Sequence, residues 1–328
     1  MLSYQDVVDA AERIGPHIVR TPLSISEPMS ARVGATVAIK AEHRQRTGSF
    51  KLRGALNNVF SLSAEASAAG VVTASSGNHG IGVATAAAAR GIDCTVYLPS
   101  VASSAKVAVI ERLGADIEMV ADTDAVVAET TARETAARTG STYVSPYNDP
   151  SVIAGQGTIG LEIAADAAAA GLDRIDAVVI AVGGGGLISG IATALATDLP
   201  EATIIGTSPA NDQSMVAAAA DRPAAPAKPT FSDGTAGAVE PGAITIDLCR
   251  DLVDQWMTID ETAIAGAVTD FVDDHHELVE GSAGVALAAA ATYARTNPGA
   301  GIVVVTCGAN VSAEAANRML TEGLTARR

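Results

Sequence analysis

The sequence predicts an α/β protein built on parallel β-sheets that are covered by helices on both faces. Short runs of β-branched apolar residues alternate with helical stretches along most of the 328-residue chain, as expected when each parallel strand is followed by a crossover helix. The strand runs are continuously apolar, which is typical of strands buried on both faces. The predicted strands are residues 36–40, 70–75, 94–99, 116–121, 142–146, 177–182, 203–208, 255–260 and 301–307.

Composition and charge exclude several classes of function. Hydrophobic residues make up 48% of the chain and charged residues 18%, which favours a large folded core over disorder. Aromatic residues make up only 3%, and the formal net charge is −16. Because an acidic surface repels nucleic acid and anionic lipid, we expect neither nucleic acid nor a membrane as a partner.

Cysteine usage and the N-terminus predict a cytoplasmic protein. The chain has an odd number of cysteines, which are widely spaced and match no disulfide or zinc-binding pattern, namely Cys94, Cys249 and Cys307. Residues 1–15 carry early acids and predict an amphipathic helix rather than a signal peptide. Residues 177–197 are uncharged and long enough to span a bilayer, but four glycines interrupt them. We therefore expect a buried strand, a turn and a buried helix there.

Ligands of open parallel sheets bind where a strand ends and a helix begins, and one such turn is rich in glycine. Gly183 to Gly186 follow a predicted strand. Their missing Cβ atoms let backbone N–H groups approach a phosphate at the helix N-terminus. No GxGxxG register fits this turn and no acid ends the next strand, which disfavours a dinucleotide-dependent oxidoreductase. That oxidoreductase, and a turn used only for tight packing, are the alternatives.

A second turn and one lysine add two further chemical groups. Ser75, Ser76, Asn78 and His79 occupy a predicted helix start, where they either bind a carboxylate or simply cap the helix. Lys51 is one of four lysines in the chain, and a desolvated lysine forms Schiff bases, although a surface position is the alternative. A Schiff-base lysine, a phosphate-binding loop and a carboxylate-binding loop together suit pyridoxal phosphate that carries an amino acid.

Five motifs resemble the fold type II pyridoxal-phosphate enzymes, specifically the threonine/serine dehydratase and serine racemase family. The resemblance runs from about Val19 to Ala313. The motifs are Thr47 to Ala55 (TGSFKLRGA), Ser75 to Gly80 (SSGNHG), Ala154 to Thr158 (AGQGT), Gly183 to Gly186 (GGGG) and Cys307 to Asn310 (CGAN). Glu42-His43 and Glu280-Gly281 are further similar to a dehydratase branch associated with hydroxyectoine breakdown.

The resemblance implies the tryptophan synthase β-like fold, with two parallel-sheet domains, the small one inserted in the large one. We expect residues 70–147 to form the small α/β domain. Residues 1–69 and 148–328 would form the large domain that binds pyridoxal 5′-phosphate in the cleft. The family also implies a homodimer and a small-molecule amino-acid substrate.

Roles for individual residues follow from the same resemblance. The implied cofactor-binding residues are Lys51, Phe50, Asn78, Gly183, Gly184, Gly185, Gly186 and Cys307. The implied substrate-binding residues are Ser75, Asn78 and His79. Lys51 would hold the cofactor as a Schiff base and then act as the catalytic base. Cys307 would face the pyridine nitrogen, where a thiol is a weaker partner than a carboxylate.

The implied reaction is dehydration and deamination of a β-hydroxy amino acid, such as L-threonine or L-serine, to a 2-oxo acid and ammonia. Ser76 matches a second catalytic serine of serine racemases, so racemisation on the same scaffold is the alternative. Ser208-Pro209 replaces the Glu-Pro that begins the family's metal site. We therefore expect no metal, although Asp212 remains a candidate oxygen ligand. The intact Lys51 argues against a sensor that has lost catalysis.

Overall fold

The computed structural model describes residues 2–102 and 104–327, so residues 1, 103 and 328 lie outside the described part. The strands are β1 Leu23–Ile25, β2 Thr36–Lys40, β3 Val71–Thr73, β4 Cys94–Pro99, β5 Asp116–Val120, β6 Thr142–Tyr143, β7 Ala177–Ala181, β8 Thr203–Pro209, β9 Gln255–Ile259 and β10 Gly301–Val305. The helices are α1 Tyr4–Ile14, α2 Glu27–Val33, α3 Lys51–Ser61, α4 Ala64–Ala69, α5 Asn78–Arg90, α6 Ser104–Arg112, α7 Ala125–Thr139, α8 Pro150–Asp166, α9 Gly186–Asp198, α10 Ser214–Ala219, α11 Ile244–Leu252, α12 Glu261–His275, α13 Gly281–Thr296 and α14 Ala313–Ala326.

The larger sheet has the strand order β1-β2-β10-β7-β8-β9. Every neighbouring pair in it is parallel except β1 with β2. Strands β7 and β10 lie at its centre, and all of their residues are buried. Helices α9 and α13 pack against β7, which explains why these strands are continuously apolar in the sequence.

The smaller sheet is parallel throughout, with the strand order β5-β4-β3-β6. It has its own hydrophobic core, in which Val83 and Val96 are fully buried. Helix α3 contributes Leu52 and Leu56 to that core, although it precedes the smaller sheet in the chain. Helix α3 packs against both α5 and α8, and the boundaries at residues 69/70 and 147/148 stay a prediction.

Each of the nine predicted strands overlaps a strand of the structure, although residues 142–146 form only the two-residue strand β6. The amphipathic helix expected in residues 1–15 is confirmed as α1, and residues 177–197 form β7, the glycine turn and most of α9. Within the described residues, no helix combines the length and the apolar character that a membrane crossing requires. Strand β1, which is antiparallel, is not among the predicted strands, because a three-residue edge strand leaves too short a pattern in the sequence.

Four buried charges fix the start of α3 in the core. Arg53 donates hydrogen bonds of 2.8 and 2.9 Å to Glu42 and of 2.7 and 2.9 Å to Glu162. Lys40 Nζ donates to Glu162 Oε2 at 2.5 Å and to the Thr21 carbonyl at 2.7 Å. The two positive and two negative charges balance, and the hydrogen bonds offset much of the cost of removing them from water.

Replacing Arg53 with leucine is expected to lower the free energy of unfolding by about 3–5 kcal/mol, because buried carboxylates lose their partner. Chemical denaturation measures this loss. The matched control is Arg20→Leu, because Arg20 pairs with Asp166 while its own side chain stays 58% exposed. An exposed pair contributes under about 1 kcal/mol, and equal losses in the two variants would contradict the assignment.

Candidate active site

A cavity of about 670 Å³ lies at the carboxyl ends of the strands of both sheets. Its walls include residues 74–79 after β3, residues 146–147 after β6, residues 183–187 after β7, and Cys307 after β10. This is where open parallel sheets bind their ligands. The structure brings every predicted site residue to this one cavity, namely Phe50, Lys51, Ser75, Ser76, Asn78, His79, Gly183, Gly184, Gly185, Gly186 and Cys307.

Lys51 is placed by a short backbone pairing between two loops. The Phe50 N–H donates to the Cys307 carbonyl at 3.1 Å, and the Ala309 N–H donates to the Gly48 carbonyl at 2.8 Å. These bonds hold the first residue of α3 beside the end of the central strand β10. The Lys51 ammonium donates to the Pro146 carbonyl at 2.8 Å and lies 5.2 Å from the centre of the Phe50 ring.

Burial lowers the pKa of the Lys51 amine to about 8, although the nearby Cys307 and Glu280 oppose the shift. At pH 7, about one amine in ten is then neutral, against fewer than one in a thousand for an ordinary lysine. A neutral amine is required both for attack on an aldehyde and for accepting a proton. Lys51 therefore has the environment of a nucleophile or a base.

The tetraglycine loop leaves no room for side chains. A Cβ at Gly184 would lie 2.2 Å from Cδ1 of the Tyr147 ring, and one at Gly183 would lie 2.9 Å from Thr235 Cα. Gly185 has a φ of +83° and precedes α9, in the left-handed region that glycine adopts at low cost. The loop therefore presents backbone, rather than side chains, to the cavity.

The start of α9 suits an anion. Among the residues that the structure describes, no side chain caps the first turn of α9, so its N–H groups are available to a ligand. These groups and the positive end of the helix dipole favour a phosphate. A phosphate at the glycines and an aldehyde at the Lys51 amine are the two ends of pyridoxal phosphate, so the residues present fit this cofactor.

The loop before α5 supplies the predicted carboxylate site. Ser75, Ser76 and Asn78 are each partly exposed to the cavity. His79 is buried, and one of its ring nitrogens, Nε2, lies 2.9 Å from the Val144 carbonyl. Because a carbonyl only accepts, Nε2 carries the proton. Burial lowers the pKa of His79 to about 3, so its ring is neutral, and the N–H groups of the helix start are the better carboxylate donors.

Cys307 lies 3% exposed at the base of the cavity. Burial raises the pKa of its thiol well above the usual range, and the nearby Glu280 carboxyl adds to the shift. The thiol is therefore neutral at physiological pH. Its Sγ lies 3.9 Å from Glu280 Oε1, so a titratable carboxyl lies beside the residue that is predicted to face the pyridine nitrogen.

Three residues of this site have no predicted role in it, although Glu280 and Asn310 belong to motifs named in the sequence. Tyr147 packs against the glycine loop, and its hydroxyl accepts a 2.9 Å hydrogen bond from the Glu240 N–H. Glu280 accepts hydrogen bonds of 3.0 and 3.1 Å from Asn78 Nδ2. Asn310 Nδ2 donates to Asn78 Oδ1 at 2.7 Å. A lone acid at the start of an alanine-rich helix was the available signal for Glu280, since such an acid is rarely buried unless it has a partner.

Asp212, the candidate metal ligand, is engaged in local hydrogen bonds. Its Oδ1 accepts from the Ser214 N–H at 3.1 Å and from the Ser214 hydroxyl at 2.6 Å. Its Oδ2 accepts from the Gly237 N–H at 2.7 Å. Because Gly237 follows Asp233–Thr235 in the same loop, the bond to Asp212 restrains that loop, and residues 233–235 form part of the cavity wall.

Replacing Gly184 with alanine is expected to weaken the binding of pyridoxal phosphate. The added methyl group must displace the Tyr147 ring or the loop, which costs about 1–3 kcal/mol and corresponds to a roughly 5- to 150-fold higher Kd. Titrating the apoprotein with the cofactor measures this Kd. Gly266→Ala in α12 is the matched control, because nothing lies within 4 Å of the added Cβ. A Kd equal to that of the control would refute the role of the loop.

Comparisons with known proteins identify the family to which the chain belongs. Residues 14–308 match the family model described as pyridoxal-phosphate dependent enzyme. The L-threonine ammonia-lyase of Thermotoga maritima is 36% identical over 330 residues, covering 99% of this chain and 79% of the relative.

Two solved structures are similar over nearly their whole length. The processed form of threonine deaminase isoform 2 from Solanum lycopersicum has a TM-score of 0.90 and 34% identity, covering 97% of this chain and 92% of that one. Maize serine racemase has a TM-score of 0.88 and 31% identity, covering 99% of both chains. The chain therefore belongs to the fold type II pyridoxal-phosphate dependent enzymes, within the threonine/serine dehydratase and serine racemase family, and its cofactor is pyridoxal phosphate.

Proposed function

We propose that this protein dehydrates and deaminates a β-hydroxy amino acid, with L-threonine and L-serine as the first candidates. The observation that carries the proposal is that the Lys51 amine and the Gly183–Gly186 loop border the same cavity. The threonine ammonia-lyase and threonine deaminase relatives support the reaction class. The overall reaction releases the β-hydroxyl as water, takes up a water, and yields a 2-oxo acid and ammonia.

The cofactor, when bound, withdraws electrons from the substrate and so makes the proton on Cα acidic. Lys51 would hold the cofactor through its amine, and Gly183 to Gly186 would hold the phosphate. Phe50 and Cys307 would flank the ring. Because burial lowers the pKa of Lys51 to about 8, its amine, once free, is a competent acceptor for the Cα proton.

The substrate would be oriented by its carboxylate. The loop of Ser75, Ser76, Asn78 and His79 lines the same cavity as Lys51, and its N–H and hydroxyl groups would bind that carboxylate at the start of α5. Holding the carboxylate and the amine at fixed points would direct Cα toward the Lys51 amine. Such positioning supplies much of the rate enhancement in enzymes of this kind.

The proposal includes the location, the oligomeric state and the domain division of the enzyme. All three cysteines are free and buried, which supports a reducing cytoplasm as its location. The family resemblance supports a homodimer, and sedimentation velocity tests it. Residues 70–147 would form the small domain, as the continuous smaller sheet between Val71 and Tyr143 supports.

Replacing Lys51 with alanine is expected to abolish the borohydride-reducible attachment of the cofactor, and to lower 2-oxo acid release by at least about 10²-fold through loss of the base. Release is measured with L- and D-serine, L- and D-threonine, 3-hydroxyaspartate and phenylserine. Lys228→Ala is the control, because Lys228 is exposed on the long loop before α11. Full activity and an intact reducible linkage in the Lys51→Ala protein would show the assignment to be wrong.

Racemisation is the second candidate function, because the Ser76 hydroxyl and the Lys51 amine border the same cavity. Two proton-handling groups around one Cα would allow a proton to be removed and returned from different sides. The similarity to maize serine racemase supports this alternative.

Replacing Ser76 with alanine is expected to remove racemisation of L-serine while sparing most of the elimination, because Lys51 alone suffices for loss of the Cα proton. Chiral chromatography and 2-oxo acid release measure the two rates in the same sample. Ser75→Ala, at the neighbouring position, controls for general damage to the loop. Parallel loss of both rates in the Ser76→Ala protein would remove the distinct role of Ser76.

A further inference from the structure

We propose that Glu280 is a positioning residue that orients the Asn78 amide toward the cofactor, and that its protonation weakens this hold on the amide. The inference rests on the proposed function, since it takes the cavity beside Lys51 to hold pyridoxal phosphate. It concerns a carboxyl that the proposed reaction does not use.

A chain of hydrogen bonds fixes the orientation of the Asn78 amide. Asn310 Nδ2 donates to the Thr47 carbonyl at 2.7 Å and to Asn78 Oδ1 at 2.7 Å. Because a backbone carbonyl only accepts, the nitrogen of Asn310 must face it, and the atom of Asn78 that faces Asn310 must be its oxygen. Asn78 Nδ2 then faces Glu280, at 3.0 Å from Oε1 and 3.1 Å from Oε2.

The Glu280 carboxyl is held in place and has little alternative space. It is 5% exposed, and its own N–H donates to the Gly308 carbonyl at 3.0 Å. A Cβ at Gly308 would lie 2.4 Å from Glu280 Oε1, so only glycine at that position leaves room for the carboxyl. Glu280 precedes α13, yet its side chain does not cap that helix among the described residues. The carboxyl is directed to Asn78 instead.

The strength of the hold on Asn78 depends on the charge of Glu280. Asn78 Nδ2 lies 3.0 and 3.1 Å from the two carboxyl oxygens, so one of its hydrogens points between them and is shared by both oxygens of an ionised carboxylate. A protonated carboxyl carries no charge and has one good acceptor oxygen, so it holds this hydrogen more weakly and orients the amide less firmly. Asn78 lines that cavity, where it is predicted to contact the cofactor.

The surroundings of Glu280 allow this change near neutral pH. Burial raises its pKa to about 7, and the Asp233 carboxylate adds to the rise, while the hydrogen bond from Asn78 and the Lys51 ammonium oppose it. The neutral Cys307 thiol is a further titratable neighbour among the described residues, at 3.9 Å from Oε1. Glu280 is therefore ionised above about pH 7 and protonated below it.

The test is a pH titration of the visible absorbance of the holoenzyme. The wild type is expected to show a one-proton transition centred near pH 7. Glu280→Gln should keep its cofactor, lose this transition and retain the low-pH spectrum at every pH, because a neutral amide mimics the protonated carboxyl. Glu12→Gln, an exposed acid on α1, is the control and should titrate like the wild type.

A second variant keeps the test decisive if Glu280→Gln does not fold. Glu280→Asp retains the charge but shortens the reach, so its transition should persist with a midpoint displaced by more than about one pH unit. A wild-type midpoint in either Glu280 variant, or no transition in the wild type, overturns the inference. A protein that never acquires the visible band would instead overturn the proposed function, so the two failures are distinguishable.

Discussion

The active site depends on one short pairing between two loops that are far apart in the chain. Residues 48–50 hydrogen bond with residues 307–309 through Phe50, Cys307, Gly48 and Ala309. This pairing fastens the first residue of α3 to the end of the central strand β10. Because β7 is the other neighbour of β10, the loop that follows β7 lies nearby. The lysine and the phosphate-binding glycines are thus brought together by the sheet order.

The buried charge cluster of Lys40, Glu42, Arg53 and Glu162 also helps to fix the position of Lys51. Arg53 lies two residues after Lys51, and its guanidinium is shared between Glu42 and Glu162. Moving Arg53 away from the two glutamates would leave buried charges unpaired, and an unpaired buried charge is far more costly than a paired one. The cluster therefore restricts how α3 can move, and with it the backbone from which Lys51 projects.

The cavity combines burial with a few titratable groups. Burial shifts the pKa of Lys51 down and those of Glu280 and Cys307 up, so each of the three groups is held closer to its neutral form. The low dielectric of such a buried site strengthens its hydrogen bonds. The lowered pKa of Lys51 also suits chemistry in which a proton is removed at Cα, since part of the amine is neutral and able to accept it.

The sequence by itself determined the fold class and most of the site. Continuous apolar strands predicted the parallel sheets, and the glycine run, the lysine and the Ser/Asn loop predicted the cofactor, because their chemistry is local and shows in residue type. Only the tertiary structure revealed the antiparallel strand β1, the packing of α3 into the smaller core, and the Asn310–Asn78–Glu280 chain. These features depend on contacts between residues that are distant in the chain. Asn78 and Glu280, for example, are more than 200 positions apart. Such pairings follow from the order of strands in space, which the linear pattern of side chains does not encode.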